Sequence, residues 1–319
     1  MKEHLKHYVE FSKTPNVRGL RILLEYFYAL EIFQPILDSG IRIVSVFGSA
    51  RLGPETREYK DAKKLGGLLY KNGYAVVTGA SQGIMQAANE GVAEGILADL
   101  AKKNPKKKPL DLQKTAEYYN LLKKFSVGLK ISLPFEPHNN PFVGVNATFH
   151  YFMVRKFFFG TLSSAFIACE GGWGTRDELF EILTLVQTGK APLMPVIYIS
   201  QDPGHLVSDI DFAIRKKYIS PEDKYLIDIV KKPEEALHII TRFHRVVKTI
   251  SYDKQKAVEV VFSNPVSKPK VEKVRKLITQ KYKNIFEDGV EISSTQMVLR
   301  GFNYKSYGYL RQIIDALAS

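Results

Sequence analysis

Residues 165–178 read Ala165-Phe166-Ile167-Ala168-Cys169-Glu170-Gly171-Gly172-Trp173-Gly174-Thr175-Arg176-Asp177-Glu178. A short apolar run leads into a glycine-rich turn. Leu179, Ile182, Leu183 and Val186 then recur at helical spacing on one face. That order predicts a buried strand, a tight turn and the start of a helix. Glycines let backbone approach a ligand closely, and a helix start offers unpaired N–H groups at the positive end of its dipole. Phosphate suits such a place. The carboxylates of Asp177 and Glu178 lie within one turn of it, which points to chemistry on a phosphorylated substrate. The same letters also fit a capping box, with Thr175 as cap and Glu178 answering it.

The pattern repeats outward along the chain. Ile41–Phe47 is β-branched and apolar, predicts a buried parallel strand, and runs into Gly48-Ser49-Ala50-Arg51. Tyr74–Val77 predicts a second strand, closed by Thr78-Gly79-Ala80-Ser81-Gln82-Gly83 and a helix from Ile84 to about Glu94. Val127–Leu133 predicts a third strand ending at Pro134. A helix from about Phe149 to Thr161 leads into Ala165–Cys169, and Met194–Ile199 predicts a fifth strand. Helices are expected at 176–187, 205–217 and 233–247. Strands alternating with helices imply a Rossmann-like, doubly wound parallel α/β sheet, whose ligands gather beyond the strand C-terminal ends.

Three segments are expected: a helical extension over 1–40, a nucleotide-binding domain over 41–248 and a small α+β unit over 249–319. In the first, Leu20, Leu23, Leu24, Phe27 and Leu30 recur at helical spacing, and Pro35 and Gly40 punctuate its end. In the last, Ala257–Phe262 and Gln296–Phe302 read as strands. Val271, Val274, Leu277 and Ile278 mark one helix, and Tyr307, Leu310, Ile313, Ile314 and Leu317 another. Regulation, oligomerisation, capping and plain packing are open readings of that unit.

Composition narrows the function. At 319 residues and 45% apolar content the chain can bury a full core. No run of 18 apolar residues is present, so no membrane span is expected. The first residues lack the apolar core of a signal peptide, and the single cysteine, Cys169, fits a reducing compartment. A cytoplasmic setting follows as the expectation. Net charge is +13, and lysines 102, 103, 106, 107 and 108 crowd an insertion over about 96–125. Such a run reads as a solvated loop, and without interleaved aromatics nucleic acid is not an expected partner.

Familiar signatures fail. The first turn, Gly48-Ser49-Ala50-Arg51-Leu52-Gly53, has neither dinucleotide nor P-loop spacing. Metal-ligand spacings and the Gly-x-Ser-x-Gly elbow are absent, so neither a metal nor a cofactor is expected. What remains is a nucleotide-like pocket with carboxylates and the helix-borne pair Arg155-Lys156, read either as an anion anchor or as a surface cationic patch.

From about Ile41 to Leu237 the chain resembles the Lonely Guy (LOG) family, often labelled lysine-decarboxylase-like. The resemblance rests on Arg155-Lys156 followed by Gly171-Gly172-Trp173-Gly174-Thr175-Arg176-Asp177-Glu178, on Thr78–Met85, and on Val46–Ala50. The tail Ser306–Arg311 resembles longer bacterial members. The resemblance implies hydrolysis of the N-glycosidic bond of a nucleoside 5′-monophosphate, AMP-like or a cytokinin ribotide, giving free base and ribose 5-phosphate. It implies Arg155 and Glu178 as the catalytic pair. Gly171, Gly172, Gly174 and Thr175 would hold the 5′-phosphate. Gly48, Ser49, Gly79, Gly83, Met85, Lys156 and Asp177 would complete the substrate site. It further implies a homodimer or larger homo-oligomer. The alternative is a non-catalytic nucleotide or molybdenum-cofactor carrier of the same fold. Glu170 stands where the family has proline, and Ala80 where it has glycine. Nothing in the sequence offers the cofactor-bearing lysine that lysine decarboxylation would need.

Overall fold

The computed structural model describes residues 15–133, 140–252, 257–282, 285–286, 289–302 and 307–319. The expected end of the third strand at Pro134, Ser306 of the tail motif and residues 1–14 of the extension lie outside the described residues. The chain divides into two compact units, Met1–Ser163 and Ser164–Ser319.

The first unit opens with helix α1 (Pro15–Asp38), followed by β1 (Ile43–Phe47), α2 (Arg57–Lys71), β2 (Ala75–Thr78) and α3 (Ile84–Lys103). Then come α4 (Pro109–Leu112), α5 (Ala116–Phe125), β3 (Ser126–Ile131), β4 (Val145–Phe149) and α6 (Phe152–Leu162). The four strands are parallel, in the order β4-β3-β2-β1, with Val44 opposite Val76, Val77 opposite Val127 and Gly128 opposite Asn146. β1 and β2 are buried along their whole length. Parallel strands must be covered on both faces, which is why they read as largely apolar runs. Helices α2, α3 and α5 form one layer, while α6 and α1 pack against β3 and β4.

Three expectations are corrected here. The lysine-rich insertion is a loop only in part: α3 continues to Lys103, Lys106, Lys107 and Lys108 lie exposed in the short connection after it, and α4 and α5 follow. Thr115 caps α5 by accepting from the Tyr118 amide, and Glu117 sits in its first turn. A strand, β4, stands just before the residues expected to begin a helix at Phe149. Helix α1 runs through Pro35 for a further turn before stopping at Asp38.

The second unit contains β5 (Ser163–Cys169, its first residue being the last of the first unit), α7 (Trp173–Gln187), β6 (Val196–Ile199), α8 (Gly204–Arg215), a 3-10 turn (Pro221–Leu226), β7 (Asp228–Val230) and α9 (Pro233–Val246). β5, β6 and β7 are parallel and adjacent in that order. The seven parallel strands and their helices make the α/β, Rossmann-like class. Beyond α9 come β8 (Val247–Tyr252), β9 (Val258–Phe262), α10 (Lys268–Lys281), β10 (Val290–Ile292), β11 (Gln296–Leu299) and α11 (Tyr307–Ala318). The four strands form an antiparallel sheet of order β10-β11-β9-β8, two strands richer than the sequence reading of the tail. Helix α11 ties this sheet to the parallel strands: fully buried Arg311 reaches Asp228 of β7 at 2.5 Å and Asp315 at 3.1 Å. Among the described residues no helix is long and apolar enough to cross a membrane.

Candidate functional site

In the first unit the turns after β1 and β2 are buckled together. Gly83 is the cap residue of α3 and takes φ +67°, a left-handed conformation that favours glycine. A Cβ there would lie 2.2 Å from the Ser49 carbonyl oxygen. The Ile84 amide donates to that same carbonyl at 3.0 Å. A Cβ on Gly48 would strike the Ile84 side chain. At Gly79 a Cβ would lie 2.9 Å from Met85 Sδ and 3.8 Å from Arg155 Nη1. The unit therefore brings Gly48, Ser49, Gly79, Gly83, Met85 and Arg155 to one place.

A polar network that sequence reasoning missed supports this place from below. The Thr78 hydroxyl donates to Asn89 Oδ1 at 2.7 Å and accepts from the Ala80 amide at 3.1 Å. Asn89 Nδ2 donates to Ser126 Oγ at 2.8 Å, and Asn140 Nδ2 donates to Asn89 Oδ1 at 2.9 Å. Ser126 in turn donates to the Phe142 carbonyl. All four side chains are buried, so each bond is made where water cannot replace it. The turn's residue Ala80 holds φ +57° with its Cβ packed over Gly128.

Arg155 and Lys156 lie half-buried on α6. The Arg155 guanidinium sits over the Phe152 ring at 5.0 Å and the Phe159 ring at 5.7 Å, which restricts its orientation. The start of α6 is fixed by Glu25 of α1, whose carboxylate accepts from the His150 and Tyr151 amides and from His150 Nδ1 at 2.8 Å. The carboxylate thus pairs the amides of Tyr151, the cap residue, and of His150 before it, and lies at the positive end of the helix.

In the second unit, β5 ends at Cys169 and α7 begins at Trp173 with Gly172 as its cap. The capping box is not formed: Thr175 and Glu178 are inside the helix and buried, and Gly172 has no side chain to offer. Thr175 instead packs its side chain against Gly171, where a Cβ would lie 2.1 Å from Thr175 Oγ1. The first α7 amide with a protein acceptor is that of Arg176, bonded to the Gly172 carbonyl at 3.1 Å. Among the described residues, the amides of Trp173, Gly174 and Thr175 donate to no protein group. Gly172, Trp173 and Gly174 are exposed, as is Asp177. This is the geometry of an anion-binding helix start.

Glu170 is turned toward β6. Its carboxylate accepts from the Ser200 hydroxyl and, at 3.3 Å, from the Tyr198 hydroxyl, with His205 Nε2 3.4 Å from that oxygen. Burial and the Glu170 charge push the Tyr198 phenol up to about 12. A small cavity beside this group is lined by Gly171, Thr175, Arg176, Tyr198, His205 and Asp209, among others. Cys169 is a buried strand residue. Among the described residues no cluster of His, Cys, Asp and Glu could hold a metal ion.

Two family models match the chain: "Possible lysine decarboxylase" over residues 124–240 and "SLOG cluster4 family" over residues 41–108. The probable cytokinin riboside 5'-monophosphate phosphoribohydrolase LOGL6 of Oryza sativa subsp. japonica is 32% identical over 108 residues, 32% of this chain and 43% of that protein. The bifunctional cytokinin biosynthesis protein of Fusarium pseudograminearum is 24% identical over 242 residues, 70% of this chain and 46% of that protein. The chain thus spans less than half the length of these curated relatives. Among solved structures, the molybdenum cofactor binding protein of Rippkaea orientalis aligns with a TM-score of 0.40 and 23% identity, over 63% of this chain and 96% of that one. The sequence resemblance to the LOG family is borne out by the models and relatives together.

Proposed function

We propose that this protein hydrolyses the N-glycosidic bond of a nucleoside 5′-monophosphate, AMP-like or a cytokinin ribotide. The observation that carries the reading is the start of α7: three amides without protein acceptors among the described residues, with the Glu178 carboxylate buried one turn further on. The names of the LOG relatives point to the same reaction class. In this reading the Gly171–Thr175 backbone holds the 5′-phosphate, with Asp177 at its margin. During cleavage the C1′–N bond breaks with its electron pair going to the base. Positive charge builds on the ribose ring, and water adds its oxygen to C1′. The Glu178 carboxylate stabilises that charge or takes the proton of the water, as glycosidase carboxylates do. The departing base gains a proton in exchange.

The test is base release from AMP, GMP, CMP, UMP and isopentenyl-AMP by wild type and by Glu178→Gln. A loss of about 10²–10⁴-fold in kcat with unchanged folding is the expected result. Equal rates in the two proteins would remove Glu178 from the mechanism. Tight binding of every nucleotide without turnover by wild type would make the protein a carrier.

A further inference from the structure

Helix α8 ends on a lysine where glycine is the usual residue. The Lys217 amide donates to the Ile214 carbonyl at 3.0 Å and the Tyr218 amide to the Ala213 carbonyl at 2.8 Å, the paired bonds of a Schellman turn. The left-handed position of that turn favours glycine, yet Lys217 holds it at φ +61°. A side chain kept where the backbone disfavours one calls for a use of its charge. The Tyr218 ring next to it is 73% exposed, and the Phe212 ring, edge-on to it at 6.2 Å, is 47% exposed. The Lys216 ammonium stands 6.0 Å from the centre of the Phe212 ring. Arg215 and Lys217 make no ion pair among the described residues. With Tyr218 they line an open cleft of about 700 Å³ between the C-terminal ends of α7 and α8 and the 3-10 turn. That volume accommodates a base with its sugar and phosphate. Asp223, the carboxylate lining the cleft, is already engaged: it accepts from the Ser220 amide at 2.8 Å and from Gln187 Nε2 at 2.6 Å.

We propose that this cleft binds single-stranded nucleic acid, with bases stacked on Tyr218 and Phe212 and phosphates paired with Arg215, Lys216 and Lys217. Every base has a π-face and every linkage a negative charge, so exposed rings set among cations suit a strand of any sequence. An acidic peptide would use the cations and leave the rings idle, and a duplex hides its base faces in the stack. The lysines of 102–108 carry charge without interleaved aromatics, whereas Phe212, Arg215, Lys216, Lys217 and Tyr218 interleave the two within seven residues. The cleft lies at the opposite end of α7 from the Trp173–Thr175 amides, roughly 20 Å away at about 1.5 Å per residue. The inference therefore stands independently of the hydrolase reading.

The experiment is fluorescence anisotropy of the full chain with RNA and DNA single strands of about 12 nucleotides, a length such grooves can cover, each bearing a 5′-hydroxyl. Circular dichroism confirms the folding of each variant. Binding is expected, with log Kobs falling against log salt at a slope of about −2, the value for three phosphate contacts on a single strand. Tyr218→Ala and Phe212→Ala should each weaken it about tenfold. Lys217→Gly relieves the turn, so it cannot act by unfolding it, and should make the salt slope shallower by about 0.7. Tyr218→Phe keeps the ring and should keep the affinity. No binding of either strand overturns the proposal. So does binding indifferent to Tyr218→Ala and Lys217→Gly, which would place the strand elsewhere. Equal affinity for a duplex of the same sequence or for heparin would overturn it by reducing the patch to bare charge. Displacement by AMP at the strand's own concentration would do so too, by making a mononucleotide the ligand.

Discussion

Replacing Asn89 by leucine tests whether the turn after β2 is held by buried hydrogen bonds or by packing. The two side chains have nearly the same shape, so the substitution removes bonds without opening a large cavity. Two buried donors lose their acceptor: the Thr78 hydroxyl, now 2.7 Å from Asn89 Oδ1, and Asn140 Nδ2, at 2.9 Å. Ser126 Oγ loses the donor it now has at 2.8 Å. An orphaned buried group costs about 1–3 kcal/mol. Two orphaned donors therefore cost roughly 2–6 kcal/mol, less a few tenths returned by the better helix propensity of leucine. In a unit of this size each kcal/mol moves Tm by about 2–4 °C, so a drop on the order of 10 °C is expected. Denaturant unfolding with far-ultraviolet circular dichroism reads it. The decisive result comes from a cycle. Adding Thr78→Val removes the hydroxyl orphan but strands the buried Ala80 amide, now 3.1 Å from Thr78 Oγ1, so the double variant should cost about as much as Asn89→Leu alone, about 1–3 kcal/mol less than the sum of the two single losses. Strictly additive losses, or a single-variant cost within about 0.5 kcal/mol of zero, would refute the network's role.

Arg311→Met should destabilise the second unit by about 3–5 kcal/mol, because it strands the Asp228 carboxylate of β7 while Asp315 keeps Arg242 at 3.2 Å. Combining it with Asp228→Leu should recover most of that loss in urea unfolding, and no recovery would mean that the pair is not the cause. Tyr70 and Tyr198 are both pushed up to about 12, chiefly by burial, with Asp99 and Glu170 adding to it respectively. The unfolded chain releases these protons near the ordinary value of 10.0. Between pH 10 and pH 12 the folded state therefore holds more protons, and stability, constant below pH 10 for these groups, falls across that window. Tyr198→Phe should flatten the fall seen in urea midpoints from pH 10 to pH 12. An unchanged slope would exclude it as a contributor.

The sequence was a good guide where burial is complete and a poor one where it is partial. Strands β1, β2, β5 and β6 are buried over all or most of their length, so their letters are mostly apolar and their limits fall within two residues of those expected. β4 alternates because it is an edge strand, with Asn146 and Thr148 exposed, and its end abuts the apolar start of α6. β8 follows α9 without an intervening glycine or proline, so no punctuation marks the change of period at Val247. The basic insertion misled only in part: Lys106, Lys107 and Lys108 do lie in an exposed connection, but Lys102 and Lys103 end a helix, lysine being a good helix former, and Thr115 caps another beyond the run. In α1 the spacing is helical as read, but periodicity gives a stripe without saying which way it faces.

The two departures from the family pattern acquire physical meaning only in three dimensions. Ala80 occupies a left-handed conformation at φ +57°, which costs an L-residue on the order of 1–2 kcal/mol. That strain is held by the bond from its amide to Thr78 Oγ1, and so by the Asn89 network beneath it. Glu170 brings a carboxylate beside a turn suited to an anion, and repulsion would follow if that charge faced the Trp173–Thr175 amides. Both of its oxygens are instead engaged by the hydroxyls of Ser200 and Tyr198, some thirty residues on along the chain. Charge-assisted bonds of this kind are the stronger class, and they draw the carboxylate toward β6. The substitution is thus compatible with an anion at α7 only together with Ser200 and Tyr198. Neither partner carries a signal in the one-dimensional sequence, because a hydroxyl at the end of an apolar strand looks like an ordinary strand terminus.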